Sequence, residues 1–388
     1  MMKELLAWGK KNPWIKFFVF IQIVLIFWGG FLDGFFNVQV PAGGSAVINS
    51  ESQVVPGWDD SPRLRFILGP WMRWDTGFYL KIAMDNYALN APRNAFAPLY
   101  PLVIAGLGRL LGGHFLLAGL LISQASLFVF CAMLYGYTSE RWDEQSAERA
   151  VQYLLFFPTA YYLFAGYSES LSLVFILLAF QQAVKGEWKK VGIWGALSTM
   201  TRFISVSLVI PYVYLWWRSK ERKLKDLLYI GLIPASVALW GIYLHTMYGS
   251  YPWARLSGFA GVRNGWPWEG IWNNARLVFS KGTLGYAYLH LDLLAVVLLI
   301  IWVWAASRKL GVEYGLFVLA CFIVPLFQVG SAEGILVSIS RFALIAFPGF
   351  MVMAVWGTDK RFHLAWTVFS LVLLLFYAGQ FFLWGWVG

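Results

Sequence analysis

Cysteine and histidine are scarce in this chain: two cysteines and four histidines in 388 residues. Cys131 and Cys321 each sit inside an apolar run, which excludes a disulfide framework and argues against a zinc site. His114, His245, His290 and His363 are scattered without metal-ligand spacing, so no metal-binding residue is expected. Charge is scarce too. Only 13% of residues are charged, against roughly 25% in a soluble domain. Acids are the scarcer sign, 20 against 30 bases. There is no Asn-x-Ser/Thr acceptor anywhere, an absence that favours a prokaryotic plasma membrane over the endoplasmic reticulum.

What replaces charge is hydrophobic and aromatic: 59% of residues are hydrophobic, and 22 are Trp. Lipid-facing helices cannot carry charge cheaply, so this composition reads as an all-α polytopic membrane protein in a single domain, residues 1–388. The net charge of +10 does not indicate nucleic acid, because the bases stand beside apolar runs. Lys3, Lys10, Lys11 and Lys16 lead into the first run, Arg218 to Lys225 separate two others, and Arg308–Lys309 and Lys360–Arg361 flank later ones. That is the distribution of cytoplasmic loops under the positive-inside rule. The first apolar run lacks a small-residue cleavage site and reads as a retained span.

The spans are expected near Trp14–Phe36, His114–Tyr137, Ala147–Leu163, Glu169–Val184, Val191–Trp217, Leu227–Tyr248, Leu289–Ala306, Tyr314–Val329, Val337–Trp356 and His363–Trp386, about 10–12 in all by length. A long first loop, residues 37–95, follows span one on the extracytoplasmic side. Within it Arg63–Leu68 and Trp71–Tyr87 mix apolar, aromatic and basic residues, as helices lying in the membrane interface do. A second long outer loop covers residues 249–286. Phe96–Leu111 either spans or re-enters. Val191–Trp217 is either one broken helix or a tight pair, and the re-entrant reading with a tight pair places the acidic and basic motifs below on one side.

Asp75, in Arg73-Trp74-Asp75-Thr76-Gly77-Phe78-Tyr79, is an acid outside the membrane core among rings that can stack on sugar faces. It is a candidate general base for a sugar hydroxyl; the plainer alternative is a helix cap. Arg73, Trp74 and Tyr79 are candidate substrate contacts. Asp59 and Asp60 form a second acidic pair that either binds an acceptor or makes a turn. Arg202 and Arg341 lie in apolar context, where an arginine is expensive. Each either meets a lipid phosphate, whose oxygens match a guanidinium, pairs internally, for example with Glu169 or Glu333, or snorkels to an interface. Glu169 reads as a substrate contact or as a helix-start acid behind Ser168. Arg255, Arg263 and Trp266-Pro267-Trp268-Glu269 suit a headgroup, a glycan or an aromatic belt. Asp292 is expected to pair with a base.

These motifs together resemble the PIG-V-like mannosyltransferases, members of the GT-C superfamily of polytopic glycosyltransferases. The resemblance runs through Arg73-Trp74-Asp75, Tyr79, Ile82-Ala83 and Asn86-Tyr87; Phe96-Ala97-Pro98-Leu99-Tyr100-Pro101; Phe157-Pro158-Thr159-Ala160; Tyr167-Ser168-Glu169-Ser170; Thr201-Arg202; and Arg341-Phe342 with Phe347-Pro348. Two positions depart. The eukaryotic first-loop His is Phe78 here, and the Gly before Tyr87 is Asn86, a residue that still tolerates a left-handed backbone. The resemblance implies a GT-C-type bundle and an inverting transfer. A sugar, mannose by family, would pass from a polyprenyl-phosphate donor to an acceptor hydroxyl on a glycolipid, glycan or protein at the outer face. Asp75 would be the base, and Arg202 and Arg341 would hold the donor phosphate. No cofactor is implied, and the chemistry does not demand a metal. The rivals are a secondary transporter of a polar or lipid-linked solute, which would place its charges on broken helices at mid-membrane, and a non-catalytic subunit of a glycan-assembly complex.

Overall fold

The computed structural model describes residues 12–36, 61–252, 262–280, 287–330, 333–385 and 387. In lipid every backbone N–H and C=O must be satisfied internally, which favours helices, and the described residues form 17 of them with almost no sheet. In chain order they are α1 (Ile15–Phe35), α2 (Pro62–Leu68), α3 (Asp75–Asp85), α4 (Leu99–Leu110), α5 (Phe115–Ser139), α6 (Glu144–Leu155), α7 (Tyr161–Phe164), α8 (Glu169–Val184), α9 (Trp188–Thr201), α10 (Val209–Arg218), α11 (Asp226–Tyr248), α12 (Pro267–Ser280), α13 (Ala287–Lys309), α14 (Val312–Leu326), α15 (Ile339–Phe342), α16 (Phe347–Trp356) and α17 (Lys360–Phe382). Two short strands, β1 (Val262–Asn264) and β2 (Gln328–Gly330), pair antiparallel with Asn264 opposite Gln328.

The all-α polytopic architecture expected from composition is the one observed. Helices α1, α5, α11, α13 and α17 are each long and apolar enough to cross a membrane. The other expected spans are shorter or interrupted. Ala147–Leu163 is α6 and α7, separated by residues around Pro158, where proline disfavours a continuous helix. Val337–Trp356 is α15 and α16, bent by 80°. Val191–Trp217 breaks at Arg202, whose φ of −149° and ψ of 117° are extended. Helix α9 packs mainly on α8 and α11, and α10 mainly on α14. The tight pair is therefore replaced by a broken segment.

Two glycines set close helix approaches. A Cβ on Gly192 would lie 2.3 Å from the Tyr229 carbonyl oxygen, so α9 meets α11 backbone to backbone. A Cβ on Gly349 would lie 2.1 Å from the Trp302 ring, which fixes α16 against α13. Within the first long loop the two stretches singled out from the sequence contain helices α2 and α3. Ser61 caps α2 by accepting from the Leu64 N–H at 3.4 Å, with Pro62 as the first helical residue.

Helix α3 ends at Asn86, with φ 60° and ψ −169°. Only glycine visits that region without strain, which costs a side-chain-bearing residue about 1–3 kcal/mol. The Asn86 side chain is exposed. Asn86→Gly is therefore expected to raise stability by about 1 kcal/mol after glycine's own entropic penalty. A thermal midpoint in detergent at or below that of the wild type would contradict this.

Candidate functional site

The site begins with a sharp turn. Trp74 has φ 50° and ψ −119°, a conformation a bulky residue adopts only when its surroundings impose it. Its neighbour Arg73 supplies the restraint. Arg73 is buried, donating from Nε to the Phe382 carbonyl at 2.9 Å, from one terminal nitrogen to the Gly69 carbonyl at 2.8 Å, and from the other to Asp33 Oδ1 at 2.5 Å. Its guanidinium lies 4.9 Å from the Trp384 ring centre, and Trp74 meets Trp384 edge to face at 5.5 Å. Arg73 thus fastens the turn to the end of α1 and to the chain beyond α17. Asp33→Ala is expected to cost about 1.5–3 kcal/mol, the value of a charge-assisted hydrogen bond, while Asp33→Asn, which keeps an acceptor oxygen, retains most of it. Equal thermal midpoints for the alanine variant and the wild type would refute the clamp.

Beyond the turn, Asp75 opens α3. Its carboxylate does not cap the helix. Asp75 Oδ2 accepts from Arg341 at 2.8 Å, and its main-chain N–H donates to the Tyr167 hydroxyl at 3.2 Å. Arg341 also donates from Nε to Glu169 Oε1, and Arg202 pairs with the same oxygen. Glu169 is fully buried, at 0% exposure. An ionised carboxylate in that position is tolerable only when paired and hydrogen-bonded; here it has two guanidinium partners. The internal pairing with Glu169 is thus the one formed by both arginines. The four groups, two acids and two bases, balance in formal charge. The Arg341 guanidinium lies 4.8 Å and 4.7 Å from the Tyr162 and Tyr167 ring centres, and Arg202 lies 5.6 Å from that of Phe342, contacts suited to a planar cation.

The arginine-bearing helix α15 is pinned from two sides. Asp292 Oδ1 accepts the Ser340 N–H at 2.8 Å, and Thr159 Oγ1 donates to the Ser340 carbonyl at 3.0 Å. The expected partner of Asp292, a base, is replaced among the described residues by this backbone amide. Ser168, expected as the cap of α8, instead shares a 2.7 Å hydrogen bond with the Tyr79 hydroxyl. Burial, followed by the nearby Glu169 carboxylate, pushes the Tyr79 phenol above its ordinary pKa, so Tyr79 stays a neutral hydroxyl at physiological pH.

Asp75, Tyr79, Arg202 and Arg341 line one cavity of about 330 Å³. Its remaining wall is mainly apolar, with Phe96, Phe203 and Phe342, and it includes Gln328 at the start of β2. The cavity forms where elements stop: the head of α3, the break after α9, the end of α14 and the short α15. Of the other residues singled out from the sequence, Glu169 sits behind the wall and holds both arginines. Arg73 and Trp74 act on the turn and are not part of the wall. Arg263 pairs with Glu269, and Trp266 stacks on Trp268 at 5.0 Å. Asp59, Asp60 and Arg255 lie outside the described residues. Sequence reasoning missed Asp33 and Gln328. An acid within an apolar span such as Ile15–Phe35 is itself a signal; Gln328 carries none.

A family model described as Mannosyltransferase (PIG-V) matches residues 10–253, more than half of the chain. That range contains Asp75, Tyr79, Glu169 and Arg202, and the fold adds Arg341 and Gln328 from beyond it. No curated protein matches the chain.

Proposed function

Because the chain belongs to the mannosyltransferase (PIG-V) family, we propose that this integral membrane glycosyltransferase moves mannose from a polyprenyl-phosphate donor to an acceptor hydroxyl at the extracytoplasmic face. The observation that carries the reading is the Asp75 carboxylate in a cavity wall, held through one oxygen by Arg341. Its Oδ1 takes no hydrogen bond from the described residues and is the atom to receive the acceptor's proton. The acceptor oxygen then bonds to the anomeric carbon from the face opposite the phosphate. The bond from that carbon to the phosphate oxygen breaks, and polyprenyl phosphate leaves with the electron pair. The product carries the inverted anomeric configuration.

Arg202 and Arg341 border the same cavity. Preorganised cations beside a departing phosphate stabilise the charge it gains, an effect worth several kcal/mol in comparable sites. Arg202 Nε is buried without a hydrogen-bond partner among the described residues. The extracytoplasmic assignment rests on the basic residues flanking the apolar runs. Phe96, Phe203 and Phe342 give the sugar an apolar, ring-lined surround.

The test is incubation of the purified protein in liposomes with radiolabelled polyprenyl-phosphate mannose and a panel of lipid, glycan and protein acceptors. The expected result is mannose on one acceptor class with release of polyprenyl phosphate and inversion at the anomeric carbon. Solute uptake into the liposomes with no transfer to any acceptor would replace the transferase reading by a transporter.

A further inference from the structure

The polar side chains of the cavity differ in what they already hold. Tyr79 shares its hydroxyl with Ser168. Thr201 donates to the Leu197 carbonyl at 2.8 Å. Arg202, Arg341 and Asp75 belong to the ion-pair group around Glu169. Gln328 is the neutral polar residue of the wall whose side chain makes no hydrogen bond to the described residues. It is half-buried, with Phe203, Val324 and Phe342 in the same wall.

Its direction follows from the strand. Val329 is fully buried against Gly265 and Gly270, and successive residues of a strand face opposite ways. Gln328 therefore faces away from that packing, toward the cavity it lines. A carboxamide offers two donors and an acceptor, a set that matches a pair of neighbouring hydroxyls, one accepting and one donating. The amide is half-buried and open to water, and a sugar that reproduces those hydrogen bonds can take the place of that water.

We infer that Gln328 hydrogen-bonds sugar hydroxyls in the Asp75 cavity and sets which sugar the cavity accepts. The inference rests on the transferase reading and extends it to a residue outside the span that the family model matches. Two sugars share the required chemistry, the one transferred from the donor and the one presented by an acceptor.

The test compares the wild type with Gln328→Met, which keeps the length of the side chain and removes its amide, and with Gln328→Asn as a second variant. Three probes are bound: polyprenyl-phosphate mannose, bare polyprenyl phosphate and methyl α-mannoside. A preference for the mannose-bearing lipid over the bare one that falls about tenfold in Gln328→Met, the value of one hydrogen bond of about 1.4 kcal/mol, assigns Gln328 to the donor sugar. An unchanged lipid preference with about tenfold weaker methyl α-mannoside binding assigns it to the acceptor. In both cases the affinity for bare polyprenyl phosphate stays at the wild-type value, which a general structural lesion would not leave intact. Wild-type behaviour of both variants toward all three probes overturns the assignment alone. A wild type indifferent to the mannose overturns the transferase reading with it.

Discussion

Asp75→Asn is expected to lower mannose transfer by about 10²–10⁴-fold, the range spanned by a positioned general base. The substitution preserves shape and an oxygen that can still accept from Arg341, so the turn at Trp74 and the start of α3 remain. What it removes is the negative charge and the basicity of a carboxylate that lines the cavity. It also leaves the group around Glu169 with two cations and one anion, so a modest loss of stability accompanies the loss of rate. The two effects are separated by measuring transfer and thermal midpoint on the same preparation. A folded Asp75→Asn protein with full transfer activity would remove Asp75 from the mechanism. Asp75→Glu is a useful companion. Its extra methylene advances the carboxylate by about 1 Å, a displacement that can itself cost about 10²-fold, so activity between those of Asp and Asn is expected.

The second large effect belongs to a residue outside the cavity wall. Glu169→Ala strips the shared partner from Arg202 and Arg341 at a position with no access to solvent. Removing one member of a buried ion pair costs about 3–5 kcal/mol, because the remaining charge stays desolvated and uncompensated. The thermal midpoint should fall by more than in any variant above, with transfer lost in parallel because Arg341 no longer has its second anchor. Glu169→Gln combined with Arg202→Met is expected to recover part of that stability, since it removes one cation together with the anion. The coupling is read from a double-mutant cycle. Additive losses from the two single changes would mean that Glu169 and Arg202 do not act as a unit.

The fold class was legible because charge scarcity and the spacing of basic residues are consequences of lipid solvation and need no tertiary information. Helices α2 and α3 were legible for a similar reason: Ser61, Pro62 and the mixed apolar pattern are local. Asp75, Arg202 and Arg341 could be nominated singly because acids near lipid and arginines within apolar runs are costly anywhere. Their joining was beyond sequence. Arg341 reaches Asp75 across 266 residues, and nothing local distinguishes a guanidinium destined for a phosphate from one destined for Glu169. Arg73 shows the limit most clearly. In a motif it reads as a substrate contact, and in space it turns away to Asp33 and the Phe382 carbonyl. The length of Val191–Trp217 raised a broken helix as one alternative but did not locate the break at Arg202, and the 80° bend between α15 and α16 was hidden, because an apolar window measures composition and not direction.

The bond from Arg73 to the Phe382 carbonyl joins residues 309 apart. Chains emerge from the ribosome at about 5–20 residues per second, so roughly 15–60 s separate synthesis of the Arg73 turn from synthesis of its last anchor. Asp33 is available throughout that interval and Phe382 is not. Before residue 382 is made the turn already has Asp33, Gly69 and Tyr167 as partners, so the Phe382 carbonyl closes a geometry that earlier segments of the chain have begun to set.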